Sequence, residues 1–228
     1  DAIHIPEPEE VQHNVEQAVT MYATAIETAE NLFSSIEKGK AMPVDAVYDV
    51  AGSVVDSIMG DNMTLATITK LQNYDNYTFS HSVNVSVLAT MFGRHLGLET
   101  DWLNQLAMAG LLHDIDFPLT TTDYAAHGVK AVPMLKEIEG MTEEIIQAVQ
   151  AHNSEYTGVM PASQMDTALR AAETITGLIH SAALMRPTGM EGMEPRSIKK
   201  KMKDKSLAAA VNRDRIRECE QIGLSLDE

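Results

Sequence analysis

The sequence predicts an all-α protein with an N-terminal helical extension. Apolar residues recur at steps of three and four through most of the chain. No stretch alternates apolar and polar residues between turns, as a half-buried strand would. Gly39 with Pro43, Gly60-Asp61-Asn62 and the Gly- and Pro-containing segment 187–195 punctuate the periodic stretches.

The first element follows from the stripe Val15, Ala18, Tyr22, Ile26, Ala29, Phe33 and Ile36, which requires one long helix starting near Val11. Glu7, Glu9 and Glu10 complement its N-terminal dipole. The period of the stripe is nearer about 3.5 than 3.6, so it serves either as a coiled-coil dimer seam or as the face that packs on the rest of the protein. A second helix runs from Val44 to about Met59, with Val47, Val50, Val54 and Ile58 on one side. Shorter helical patterns occupy residues 64–72, 80–96, 100–113, 128–138, 142–152 and 163–185. Residues 187–195, with two Gly, two Pro and two Met, read as a loop. Beyond it, residues 197–205 are dense in Lys, and residues 206–220 resume an amphipathic helical pattern around Leu207, Val211, Ile216 and Cys219. The division this predicts is a helical extension over residues 1–42, a candidate dimer or signalling segment, followed by one domain over residues 43–228.

Composition narrows the function. A net charge of −16 disfavours binding to a nucleic-acid polymer, which depends on many Lys and Arg contacts to phosphates. Nine of the 17 basic residues lie between Arg196 and Arg217; this tract either sits near a small anionic substrate or forms a solvated face. The single Cys219 excludes an intramolecular disulfide and a cysteine-rich metal site, and fits a reducing compartment. No apolar run approaches the roughly 20 residues of a membrane span, and the acidic start is unlike a signal peptide. A soluble, cytoplasmic protein is expected. The start at Asp1, without Met, suggests a piece of a longer chain.

The residues that carry chemistry are histidines and one aspartate. His113-Asp114 closes the apolar run Leu106-Ala107-Met108-Ala109-Gly110-Leu111-Leu112, placing two ionisable groups at the end of a buried helix. Desolvating them unpaired costs on the order of several kcal/mol, so they must be paired, hydrogen-bonded or metal-bound. His81, His127 and His152 occupy similar positions at helix ends. One such histidine is more often a packing or capping residue; four with an aspartate are hard to place without a metal. His4, His13, His95 and His180 read as surface or packing residues.

The stretch Tyr77-Thr78-Phe79-Ser80-His81-Ser82-Val83-Asn84-Val85, followed by Ala109-Gly110-Leu111-Leu112-His113-Asp114-Ile115, resembles the HD superfamily of metal-dependent phosphohydrolases. Its first half is most similar to the HD-GYP cyclic-dinucleotide phosphodiesterases. Ala171-Ala172-Glu173-Thr174-Ile175-Thr176-Gly177-Leu178-Ile179, Arg186-Pro187 and the segment from Ser197 to Lys205 look closer to the HDIG-type predicted hydrolases. The likeness covers about residues 44–228 and implies an HD-domain helical bundle with an N-terminal helical extension.

The resemblance implies that His81, His113 and Asp114 hold one metal, with Asp114 bridging to a second held by His127 and His152. The family's last ligand is an aspartate; here its position holds Glu173, which either ligates or forms an ordinary helix ion pair. Two divalent ions are expected, and imidazole with carboxylate suits Fe, Mn, Zn, Co or Ni. The implied activity is hydrolysis of a nucleotide, cyclic nucleotide or other small phosphoester by metal-bound hydroxide. Lys130, three residues beyond His127, is a candidate phosphate contact, and Asn84 stands in the same relation to His81. Departures exist. Asn153 follows His152 where the HD-GYP pattern has a second His, and Asp116-Phe117 replaces a Gly-Lys pair, which argues against a third metal and against cyclic di-GMP as substrate. The competing readings are a non-catalytic HD output or sensor module that signals through a partner or a homodimer formed by the N-terminal helix, and a di-iron oxygenase.

Overall fold

The computed structural model describes residues 8–60, 77–204 and 206–226, and every regular element among them is an α-helix or a 3-10 turn. The helices are α1 (Pro8–Glu37), α2 (Val44–Gly60), α3 (Tyr77–His95), α4 (Thr100–Leu112), α5 (Ala131–Lys136), α6 (Glu143–His152), α7 (Ser154–Thr157), α8 (Gln164–Leu184), α9 (Pro195–Lys201) and α10 (Arg213–Arg217). Among the described residues, 3-10 turns lie at Phe117–Leu119, Tyr124–Ala126 and Glu218–Ile222. The pattern predicted over residues 64–72, and the Asp61-Asn62 turn, lie outside the described residues. No described helix is long and apolar enough to cross a membrane.

α3 and α4 form the centre. From Ser82 to Val87 α3 is buried on all sides, which its small and β-branched residues permit. Gly110 of α4 faces the α3 backbone so closely that a Cβ there would lie 2.4 Å from Ser86 Cα. Ser86 Oγ, which this contact buries, donates to Ala107 O at 2.8 Å, so the crossing strands no polar group. α2, α6 and α8 pack around this pair and share one core with it, including Val54, Ile58, Leu106, Leu112, Val149 and Leu169. Local signals set the helix starts: Thr142 accepts from Ile145 N at the start of α6, and Ser163 with Asp166 forms a capping box on α8.

The N-terminal stripe packs on the protein itself from Ala18 onward. Ala25, Ala29, Leu32, Phe33 and Ile36 are buried in the common core, and Tyr22 and Ile26 are partly buried against it. Val15 and Val19 remain exposed.

Two elements differ from the sequence expectation. The helix predicted from residue 128 starts at Ala131, because Gly128 adopts φ +84°, outside helical space. The pattern at 206–220 breaks into a turn, α10 and a 3-10 turn. There the buried Arg213 guanidinium donates to the carbonyls of Asp204, Leu207, Ala208 and Val211. A side chain thus satisfies acceptors that a continuous helix would have satisfied with backbone N–H groups.

Candidate metal centre

The bundle brings His81, His113, Asp114, His127 and His152 together. Their ligand atoms form two groups, His81–His113–Asp114 and Asp114–His127–His152, within each of which all atoms lie inside 4.8 Å of one another. Asp114 belongs to both. Its Oδ1 is 3.3 Å from His113 Nε2, 3.1 Å from His127 Nε2 and 3.8 Å from His152 Nε2. His113 Nε2 also lies 3.3 Å from His81 Nε2, and His152 Nε2 lies 3.2 Å from His127 Nε2. The four histidines are buried, while Asp114 keeps 14% of its side chain accessible.

Helix ends explain how the rings are aimed. The last four carbonyls of an α-helix have no intrahelical partner. His113, the C-cap of α4, donates its Nδ1 proton to Gly110 O at 2.8 Å, and His152, the last residue of α6, donates to Val149 O. Each imidazole thus satisfies a carbonyl three residues back, and its Nε2 is directed inward. A carbonyl can only accept, so each Nδ1 carries the proton. His81 stands inside α3, which begins at Tyr77 rather than at His81 itself.

His127 is oriented differently. It follows the 3-10 turn Tyr124–Ala126 and precedes α5, so Lys130, the N-cap residue of α5, does not share a helix with it. The His127 Nδ1 proton goes to Asp116 Oδ1 at 2.7 Å, and Asp116 Oδ2 accepts from Gly128 N at 2.8 Å and Ala131 N at 3.0 Å. Asn153 Nδ2 donates to His127 O at 3.0 Å. Asp116 and Asn153 therefore hold the His127 segment from two sides. Sequence reasoning missed both roles, treating these residues only as departures from a family pattern.

The electrostatics follow from burial and crowding. Burial, then the neighbouring His113, lowers the pKa of His81 to about 4 and that of His152 to about 3. His180, read from sequence as a surface or packing residue, lies near enough to His81 to add to that effect. Burial opposes the charge of Asp114, yet His113, the hydrogen bond from His127, His81 and His152 outweigh it and hold the carboxyl well below the usual range. For His127 burial disfavours the cation, but hydrogen bonds to Asp114 and Asp116 lift its pKa to about 9.

Three predicted residues, Glu173, Lys130 and Asn84, are in neither ligand group. Glu173 Oε2 accepts from Thr174 Oγ1 at 2.8 Å, and burial raises the pKa of Glu173 against the pull of His113 and that hydroxyl. Lys130 is exposed, with Nζ donating to Leu119 O at 3.1 Å. Asn84 is buried and accepts from Tyr22 Oη at 2.9 Å.

Residues 78–203, more than half of the chain, match the protein family described as HD domain. A cyclic di-GMP phosphodiesterase of Pseudomonas aeruginosa is 28% identical over 107 residues, covering 47% of this chain and 25% of that protein. The chain thus spans about a quarter of the length of the curated relative it matches. No solved structure gives a significant match.

Proposed function

The chain belongs to the HD domain family, and from that premise we propose that it is a metal-dependent phosphohydrolase acting on a small phosphoester, with His81, His113, Asp114, His127 and His152 holding two divalent ions. One observation carries this reading. Asp114 Oδ1 belongs to both groups of converging ligand atoms, and His113, with Nδ1 bonded to Gly110 O, turns Nε2 toward Asp114 Oδ1 and His81 Nε2, each 3.3 Å away. A cation in each group would be shared through that carboxylate. The donor set suits one: His81 and His152 are kept neutral and Asp114 ionised, the states in which these groups ligate metals.

Divalent ions supply Lewis acidity to a water and to the phosphoryl oxygens. The protein's own groups do the positioning. The Gly110 and Val149 carbonyls and the Asp116 carboxylate orient three imidazoles, and the accessible edge of Asp114 leaves the cluster open to a ligand. Lys130 can exchange the Leu119 carbonyl for a substrate phosphate. The named activity of the bacterial relative, on a cyclic dinucleotide, supports a nucleotide-like phosphoester.

Elemental analysis combined with a phosphoester screen in Mn or Fe tests the proposal. Bound metal and turnover are expected in the wild type, with both reduced in His113→Ala and Asp114→Ala. Equal turnover by the variants, or protein that takes up no metal, would overturn it.

A further inference from the structure

One feature beside the cluster takes no part in holding the metals. Tyr124 and Tyr156 keep 52% and 50% of their surface exposed. Their rings meet edge to face, with centroids 5.4 Å apart and planes at 88°, and form an open right-angled aromatic corner. The Tyr124 ring lies 5.2 Å from the His127 ring at a tilt of 41°, and His127 Nε2 is 3.1 Å from Asp114 Oδ1. The corner therefore begins one side chain away from the centre of the cluster.

Both rings are carried on segments fixed by polar contacts. Tyr124 belongs to the 3-10 turn that leads into His127, a residue held by Asp116 and Asn153. Tyr156 is on α7, where Thr157 Oγ1 donates to Gln150 O at 2.9 Å and Glu155 pairs with Arg215. Arg215 also donates to His152 O at 3.3 Å, tying the C-terminal segment to the same wall. Packing of the core explains neither ring, since about half of each faces solvent.

We propose that Tyr124 and Tyr156 form a base-stacking subsite, and that the phosphoester taken by this site is one bearing a nucleobase. The inference rests on the phosphohydrolase reading for the identity of the anchored phosphate. Every base has a π-face, and stacking on an aromatic side chain is worth roughly five- to a hundredfold in affinity. Such a contact suits this protein, whose net charge of −16 opposes approach of an anion and leaves a neutral base unaffected.

The test is equilibrium dialysis of the full chain, with Mn added, against guanosine 5′-monophosphate and ribose 5-phosphate. The wild type is expected to bind the nucleotide at least about tenfold more tightly than the sugar phosphate. Tyr124→Ala and Tyr156→Ala should lose that preference while still binding ribose 5-phosphate, and Tyr124→Phe and Tyr156→Phe should keep it. Equal binding of the two ligands by wild type, or an equal loss of both in the Ala variants, overturns the stacking subsite and leaves the phosphohydrolase reading standing. Binding of neither ligand overturns both.

Discussion

Asp116 holds His127 from behind, its Oδ1 taking the ring Nδ1 proton at 2.7 Å while its Oδ2 takes two backbone N–H groups of the segment that follows. All three partners donate, so only a carboxylate satisfies them. In Asp116→Asn the amide NH2 would confront a donor wherever it turned. Metal affinity at the group containing His127 and His152 is expected to fall by about 10- to 100-fold, with a smaller change at the His81–His113 group. A competitive chelator titration resolves the two. Wild-type affinity in the variant would remove Asp116 from this role.

The α3–α4 crossing yields a stability prediction with its own control. A Cβ at Gly110 would lie 2.4 Å from Ser86 Cα and 2.6 Å from Ser86 N, both backbone atoms that cannot rotate away. Gly110→Ala is expected to cost about 3 kcal/mol or more, at or above the upper end of ordinary overpacking. At Gly52, also within a helix, a Cβ meets nothing within 4 Å. Gly52→Ala should instead stabilise by about 0.5–1 kcal/mol. Urea melts of the two variants compare them directly.

Stability of the metal-free protein should depend on pH through its buried histidines. An unfolded histidine titrates near about 6.5, whereas His81 and His152 titrate at about 4 and about 3 in the fold, chiefly through burial. Between those limits the unfolded chain binds more protons, so stability falls as pH drops from about 6.5 toward 4. His127 runs the other way. Burial opposes its cation, but Asp114 and Asp116 raise its pKa to about 9, so its contribution is complete below about pH 6.5 and is lost as pH rises through 9. Melting temperatures measured in chelator should peak near pH 6.5, and His127→Asn should flatten the alkaline limb alone. A profile without either limb would contradict these assignments.

α1 is tied to the helix that carries His81. Tyr22 Oη donates to Asn84 Oδ1 at 2.9 Å, and Phe33 meets Phe79 edge to face at 5.6 Å. Tyr22→Phe leaves the buried Asn84 oxygen without this donor and is expected to cost about 1 kcal/mol. Combined with Asn84→Ala, the loss should be clearly less than additive in a double-mutant cycle. Strict additivity would mean that the two side chains are not coupled.

The sequence by itself determined the elements whose signals are local. Apolar residues three and four apart set α2, α6 and α8 to within a residue or two, because neighbours along a helix supply the period, and the structure shows Thr142 and Ser163 capping α6 and α8. The resemblance to the HD superfamily was carried by short contiguous stretches around His81 and His113-Asp114, which are likewise local in the sequence. Tertiary structure decided the rest. Residues 206–220 carry a helical pattern, but Arg213 binds the carbonyls a helix would need; Asp116 is only a departure from a family pattern until His127, eleven positions later, folds onto it. His81 and His113 meet only because Gly110 lets two helices touch at Ser86, and the Tyr124–Tyr156 corner exists only where a turn and α7 converge. Periodicity encodes which face of a helix is buried; which distant side chains share that burial depends on how closely the backbones approach.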